Sequence, residues 1–224
     1  MSTANIGKST YLVDILARSF DSGEGQTLSL KYKKTVLRTV RLSQELDGIL
    51  EKDANLHRTS VNALISSIVA KYTEWDRYTQ RFGHISIPGT LFRALLDLID
   101  EDALATLAER CGVELTSEVA LFWFKKINLE TLLQLFLNVS EYGKIGEVEI
   151  ENEGRDYTIS IYHGFGKKWS TWLEHYIDKT IRTYLKAVPQ FETSDNTVAV
   201  RFQISSTVEQ REKSDIPEKL QLMA

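Results

Sequence analysis

Five basic side chains and no acidic one lie within residues 31–42. The whole chain has a formal net charge of −4, so this excess of positive charge is local. Ammonium and guanidinium groups bind phosphate, and a guanidinium can also form two parallel hydrogen bonds with a guanine edge. The stretch therefore indicates contact with an anionic polymer such as a nucleic acid, while the net charge argues against a uniformly basic surface.

The basic stretch leads directly into a pattern that predicts a strand followed by two helices. Residues 35–42 predict the strand, and Ser43 is a good N-cap for the first helix. Residues 55–58 break the helical pattern, and Thr59 or Ser60 caps a second helix that continues to Phe82, with Gly83 as its stop. Helical spacing places two sets of apolar residues on one face each: Leu46, Ile49, Leu50 and Ala54 in the first helix, and Val61, Leu64, Ile65, Ile68, Tyr72 and Trp75 in the second.

The predicted strand at 35–42 has no neighbouring strand in the sequence, since the next one begins only near Glu147. Unpaired backbone N–H and C=O groups are costly when they are buried. The simplest partner is the same strand of a second copy, which would give an antiparallel ribbon. The two helices are too short to form a core alone and would bury their apolar faces against the helices of that copy. The pattern therefore predicts an obligate homodimer.

From residue 39 to residue 72 the sequence TVRLSQELDGILEKDANLHRTSVNALISSIVAKY resembles the ribbon-helix-helix DNA-binding proteins of the Arc/MetJ/CopG type. In that family a strand ending in Leu-Ser leads into the first helix, and a short turn leads into the second, whose opening often reads like residues 60–65 here. Family turns often carry Gly before the second helix, where this chain has Leu56, His57 and Arg58. The resemblance implies that residues 34–83 form an intertwined dimer that binds double-stranded DNA.

The resemblance also implies roles for individual residues, because the family places its ribbon in the major groove. With Val40 and Leu42 facing inward, the base-reading residues would be Leu37, Thr39 and Arg41. The start of the second helix offers free N–H groups and the positive end of a helix dipole to a phosphate. The phosphate-binding residues would then be Lys31, Lys33, Lys34, Arg38, Arg58, Thr59 and Ser60. Arg38 falls on the inward face, so it either curls to a phosphate or indicates a register shifted by one residue.

Residues 84–206 predict an α+β domain with a helical block and a strand-strand-helix-strand unit. Helices are predicted at 91–99, 103–110, 117–126 and 129–142, a hairpin at 147–152 and 156–162, a long helix at 169–185 and a last strand at 198–204. Residues 1–33, which end in basic side chains, and residues 207–224 are predicted as flexible tails.

Two features of this second domain are candidates for ligand binding. The loop that contains Gly164, Gly166, Lys167 and Lys168 precedes a helix and could hold an anion, although a tight turn with a solvated basic rim is the simpler explanation. Its spacing does not fit a nucleotide-binding P-loop. Five aromatic residues could line a pocket or simply form the core: Phe122, Trp123, Phe124, Trp169 and Trp172.

Enzymatic and metal chemistry are not indicated by the sequence. Its four histidines and single cysteine are scattered, so no metal and no cofactor are predicted, and no catalytic triad or carboxylate pair stands out. No apolar run is long enough to span a membrane, and the first residues do not resemble a signal peptide. The lone Cys111 fits a reducing cytoplasm.

The sequence is therefore interpreted as a sequence-specific transcription regulator, most simply a prokaryotic repressor on the cytoplasmic nucleoid. Its second domain would assist oligomerisation or sense a small-molecule effector. Three alternatives stay open: an antitoxin whose C-terminal part binds a toxin, a nucleoid or partition protein with little sequence preference, and an enzyme with an incidental N-terminal motif.

Overall fold

The computed structural model describes residues 36–205, which combine helices with a four-stranded antiparallel sheet. The α+β class is therefore confirmed. The chain divides into two compact units, Met1–Gln80 and Arg81–Ala224. The predicted tails lie outside the described residues, and so do Lys31, Lys33 and Lys34. No helix within residues 36–205 has the length and apolar character needed to cross a membrane.

The first unit contains the two predicted helices, α1 (Gln44–Leu56) and α2 (Val61–Lys71). Ser43 caps α1 because its backbone is extended and its Oγ accepts a hydrogen bond from the Leu46 N–H at 3.3 Å. Ser60 caps α2 in the same way, with its Oγ 3.1 Å from the Ala63 nitrogen. Both N-cap predictions are confirmed.

The second helix is less regular than its sequence pattern predicts. After α2 the chain forms a π-helical turn at Tyr72–Asp76, and it ends in a 3₁₀ turn whose last residue is Phe82. The Thr73 hydroxyl donates to carbonyl oxygens of the preceding turn, at 3.0 Å, and so competes with the regular backbone bonds. Gly83 has a φ of +64°, which confirms the predicted glycine stop.

Up to residue 205, the second unit contains four α-helices: α3 (Gly89–Leu98), α4 (Glu101–Phe124), α5 (Leu129–Asn138) and α6 (Lys167–Thr180). Both α5 and α6 continue into a π-helical turn, at Val139–Gly143 and Ile181–Leu185. The prediction of separate helices at 103–110 and 117–126 is wrong, since α4 is a single helix of 24 residues.

The reason for that error lies at Gly112, in the middle of α4. A Cβ atom built on Gly112 would lie 2.7 Å from the Tyr176 carbonyl oxygen of α6 and 3.0 Å from the Lys179 Cβ. The glycine is therefore required for the close approach of two helices and does not end one. The contact is reinforced by the Thr180 hydroxyl, which donates to the Gly112 carbonyl at 3.1 Å, and by the Tyr184 hydroxyl, which donates to the Val113 carbonyl at 2.6 Å.

The sheet has the order β1-β2-β4-β3, with β1 (Glu147–Glu153), β2 (Asp156–Tyr162), β3 (Gln190–Thr193) and β4 (Thr197–Gln203). The predicted β1–β2 hairpin and the predicted last strand are confirmed, and Gly154 takes a φ of +61° in the hairpin turn. The edge strand β3 was missed, because its four residues show no buried alternation.

The core of the second unit lies between one face of this sheet and α6. Alternate residues of the central strands are fully buried, as are residues at helical spacing on α6. This core includes Ile159, Leu173, Ile177, Val198 and Val200. Trp169 belongs to it as well, whereas Trp172 is only partly buried. The second unit therefore possesses a continuous hydrophobic core of its own.

Replacement of Gly112 by alanine tests the close contact between α4 and α6. We expect Gly112→Ala to lower the free energy of unfolding by about 1–3 kcal/mol, because the added methyl group meets backbone that cannot move aside easily. Gly48→Ala is the control, since nothing lies within 4 Å of a Cβ at that helical position. It should raise stability by up to about 1 kcal/mol. Thermal and urea unfolding measure both effects, and an unchanged Gly112→Ala midpoint would contradict the packing argument.

Candidate functional site

Residues 36–43, which precede α1, form neither helix nor strand in the single chain. No backbone hydrogen bond joins residues 36–42 to another part of the chain within 36–205. The segment predicted as a strand at 35–42 therefore has no pairing partner among the described residues of its own chain. A strand exists only when a neighbour accepts and donates its backbone bonds, so this segment needs a partner to become one.

The apolar side chains of this segment are open to solvent. Leu37 is 90% exposed, and Val40, which the register places on the inward face, is 69% exposed. Thr39 and Arg41 are exposed as well, and the Arg38 guanidinium makes only a 3.5 Å contact with the Leu37 carbonyl. Within the described part of the chain, the inward face of the predicted ribbon thus has nothing to pack against.

The apolar faces of α1 and α2 are exposed in a similar way. Leu46 on α1 is 53% exposed, and Ile68 on α2 is 51% exposed. Among the apolar residues between 36 and 80, Ala54 and Trp75 are the buried ones. Two helices with this little buried apolar surface do not offset the conformational entropy that folding costs. The described part of the first unit therefore lacks a core of its own.

The turn between α1 and α2 is built on Arg58, one of the predicted phosphate-binding residues. Arg58 has a φ of +52°, the left-handed conformation that glycine adopts most easily. Its N–H donates to the Asn55 carbonyl at 3.2 Å, and the Thr59 N–H donates to the Ala54 carbonyl at 2.9 Å. This pair of bonds is the Schellman motif, with Arg58 in the place that is usually glycine.

The start of α2 is electrostatically open to an anion. The first turn of α1 contains Glu45 and Asp47, whose carboxylates complement its dipole, whereas the first turn of α2 contains no acidic residue. The first backbone N–H groups of any helix lack an intrahelical acceptor. Among the described residues, no acidic side chain forms a salt bridge with Arg38, Arg41 or Arg58. The structure therefore leaves these guanidinium groups available at the surface of the first unit.

The candidate anion loop of the second unit is arranged differently from the sequence expectation. Gly166 takes a φ of +84° and is the N-cap of α6, and its N–H donates to the Asn196 Oδ1 at 3.2 Å. The Lys168 ammonium donates to the Asp97 carbonyl at 2.9 Å and also to the Ile99 carbonyl, so it stabilises the C-terminal end of α3. Lys167 is exposed, and so is Gly164.

A second cationic side chain, which no local sequence pattern indicated, lies beside this loop. The Arg93 guanidinium is so close to Gly166 that a Cβ there would lie 3.0 Å from one of its nitrogens. Arg93 belongs to α3, far from the loop in sequence, so only the tertiary structure reveals the contact. Because Lys168 is engaged elsewhere and nothing else tests the loop, the anion site stays a prediction.

His163 anchors the same loop through both ring nitrogens. Its Nδ1 accepts a hydrogen bond from the Phe165 N–H at 3.3 Å, and its Nε2 lies 2.9 Å from the Ser170 hydroxyl oxygen. Burial lowers the pKa of His163 below its ordinary value, because the charged ring would lose solvation. No group of three potential metal ligands occurs within residues 36–205. The neutral imidazole is therefore a structural element of the loop.

No known family model and no curated protein matches this chain. The resemblance to ribbon-helix-helix proteins consequently rests on the sequence of residues 39–72 alone.

Replacement of Arg58 by glycine tests the left-handed turn. We expect Arg58→Gly to raise the free energy of unfolding by about 0.5–1 kcal/mol. The steric cost of positive φ for arginine exceeds the entropic cost of folding for glycine. Lys52→Gly, which also removes an exposed cation but lies inside α1, should lower stability by about 1 kcal/mol. Urea unfolding distinguishes the two variants, and a loss of stability in both would show that Arg58 is not strained.

The lowered pKa of His163 predicts a dependence of stability on pH. The unfolded state, with a histidine pKa of about 6.5, binds the proton more readily than the folded state. The free energy of unfolding should therefore fall as the pH drops below about 6.5 and level off below the folded pKa. His163→Asn, whose Oδ1 can accept from the Phe165 N–H, should flatten this part of the profile. NMR titration of the His163 ring checks the pKa directly, and a midpoint above 6.5 would contradict the argument.

Proposed function

We propose that this protein is a homodimeric, sequence-specific DNA-binding transcription regulator that reads the major groove with a two-stranded ribbon. The observation that carries the proposal is the incomplete first unit. Its segment 36–42 has no backbone partner among the described residues, and the apolar faces of α1 and α2 are exposed. A second copy of the same chain supplies both missing parts at once, which is the arrangement that ribbon-helix-helix proteins use.

The side chains of the proposed ribbon alternate between its two faces. Val36, Val40 and Leu42 face the helices of the dimer, and Leu37, Thr39 and Arg41 face the groove. Arg41 suits a guanine, because its guanidinium can donate to O6 and N7 together. Arg38 shares the inward face with the valines, and its long side chain reaches around the ribbon edge to a phosphate.

The start of α2 serves as a phosphate clamp on each side of the ribbon. Its free N–H groups and the absence of an acidic residue in its first turn favour an anion, and Arg58, Thr59 and Ser60 surround that position in the chain. Lys31, Lys33 and Lys34, which lie outside the described residues, are proposed as further phosphate-binding residues. Phosphate contacts of this kind fix the register of the protein on DNA and carry no sequence information.

The second unit fits a regulatory or oligomerisation role better than the role of a toxin-binding tail. It has its own hydrophobic core, so it does not need a protein partner in order to fold. A regulator gains from such a unit when a ligand favours one arrangement of the DNA-reading parts over another.

Analytical ultracentrifugation of the full chain tests the dimer. We expect a dimer at micromolar concentration and a thermal midpoint of the first unit that rises with protein concentration, because association and folding are coupled. Val40→Glu places a charge in the proposed ribbon interface and should give monomers in which the first unit is unfolded. A well-folded monomer in dilute solution contradicts the proposal.

Selection of bound fragments from genomic DNA, followed by affinity measurements on the selected site, tests DNA reading. Arg41→Ala should cost about 1–3 kcal/mol on that site and relax the preference at one base pair, whereas Lys33→Ala should weaken binding to all sequences alike. Arg58→Gly, which retains the turn, should lower the slope of log affinity against log salt by about 0.9 per lost phosphate contact. Arg201→Ala, an exposed arginine of the second unit, is the matched control and should leave binding unchanged.

The alternatives give different results in the same experiments. Steep salt dependence without any preferred fragment indicates a nucleoid or partition protein. A small protein that co-purifies in a fixed ratio indicates an antitoxin. Binding of no DNA at any salt concentration rules out both the transcription regulator and the nucleoid or partition protein.

A further inference from the structure

The second unit has a partly open apolar cavity of about 150 Å³, which is lined by α4, α5, α6 and the first two strands. Its walls are formed mainly by aliphatic and aromatic side chains of these elements, including Leu115, Leu135, Val139, Val148, Trp172 and Tyr176. Protein interiors are packed as closely as organic crystals, and voids larger than a water molecule are few. A cavity of this size in a well-packed unit therefore either lowers the stability of the fold or is filled by a ligand.

The chemistry of the walls selects for a neutral ligand. None of the described residues that line the cavity carries a charge. The Tyr176 hydroxyl is bonded to the Thr116 hydroxyl at 2.8 Å, and the Ser140 Oγ accepts from the Val148 N–H at 3.0 Å. Because a hydroxyl can also donate, Ser140 offers one hydrogen bond to a ligand. An ion would lose its solvation here without a compensating partner.

The shape of the cavity is held by a rigid aromatic wall. The Trp172 ring stacks on Trp169 with centroids 4.6 Å apart and on Tyr176 at 4.9 Å, and the interplanar angles are 6° and 10°. Three parallel rings in one stack resist collapse into the void. Apolar protein cavities of this volume stay dry and accept benzene-sized molecules. Leu115, which is 42% exposed, borders the cavity and offers a route of entry.

We propose that this cavity binds one small, neutral aromatic molecule of one or two rings, with at most one hydrogen-bonding group directed at Ser140. The proposal concerns the second unit alone and does not depend on whether the first unit binds DNA. It also places the ligand site away from the glycine–lysine loop, whose Lys168 is already engaged.

NMR titration of the full-length protein with benzyl alcohol tests the proposal without any DNA present, so its outcome is independent of the proposed regulatory function. We expect saturable shifts of the Val139, Ser140 and Val148 amides and of the Trp172 indole N–H, with a dissociation constant of about 1 mM or tighter. Benzoate, which has the same ring but a negative charge, should bind at least about tenfold more weakly, by the desolvation argument. Shifts elsewhere in the chain, an absence of saturation, or equal affinity for benzoate would each overturn the proposal.

Filling the cavity provides a second measurement. Val139→Phe should weaken binding of benzyl alcohol at least about tenfold, because the added ring occupies the ligand volume. Val188→Phe makes the same change at a residue that is 69% exposed and does not line the cavity, and it should bind like the unmodified protein. Circular dichroism and the thermal midpoint establish that both variants fold. Equal binding by a folded Val139→Phe would overturn the proposal, and if that variant does not fold, the amide shifts of the unmodified protein decide alone.

Discussion

The approach of α4 to α6 at Gly112 is the contact on which the second unit depends. The missing side chain brings the two helices close enough for Thr180 and Tyr184 to bond backbone carbonyls of α4 directly. One face of α6 is held by α4 in this way. The opposite face of α6 covers the sheet and buries Leu173 and Ile177 against the central strands. The aromatic stack of Trp169, Trp172 and Tyr176 lies on the same helix, so the position of α6 also sets the wall of the apolar cavity.

The described part of the first unit, residues 36–80, lacks such a contact. Its helices form because their ends are satisfied locally, by the caps at Ser43 and Ser60 and by the Schellman turn at Arg58. These bonds fix where the helices begin and end, but they bury almost no apolar surface. Stability in proteins comes mainly from the burial of amphipathic faces and only slightly from capping. We assign association to the first unit because its described part lacks a core, and ligand binding to the second unit because it has one.

The two proposed sites depend on different interactions, electrostatic attraction in one and apolar burial in the other. The proposed DNA surface relies on exposed charge, on helix N–H groups and on side chains that alternate along a segment, and its partner brings the opposite charge. The proposed ligand cavity excludes charge and depends on shape and desolvation. Lys168, which the sequence made a candidate for anion binding, belongs to neither site, and neither does His163. Their polar atoms hold a helix end and a loop in place.

The sequence by itself determined the features that depend on neighbours within about four residues, which are caps, turns and hydrophobic periodicity. Such local signals predict the helix caps at Ser43 and Ser60, the stop at Gly83 and the β1–β2 hairpin. They also predict the segment and the two helices that carry the candidate DNA surface. Only the tertiary structure decided that Gly112 continues a helix, that Lys168 bonds a carbonyl 71 residues away, and that Arg93 lies beside Gly166. It alone brings Leu115, Val139 and Trp172 around one cavity. Each of these outcomes depends on which distant element lies opposite a residue, and the local pattern around that residue does not contain this information.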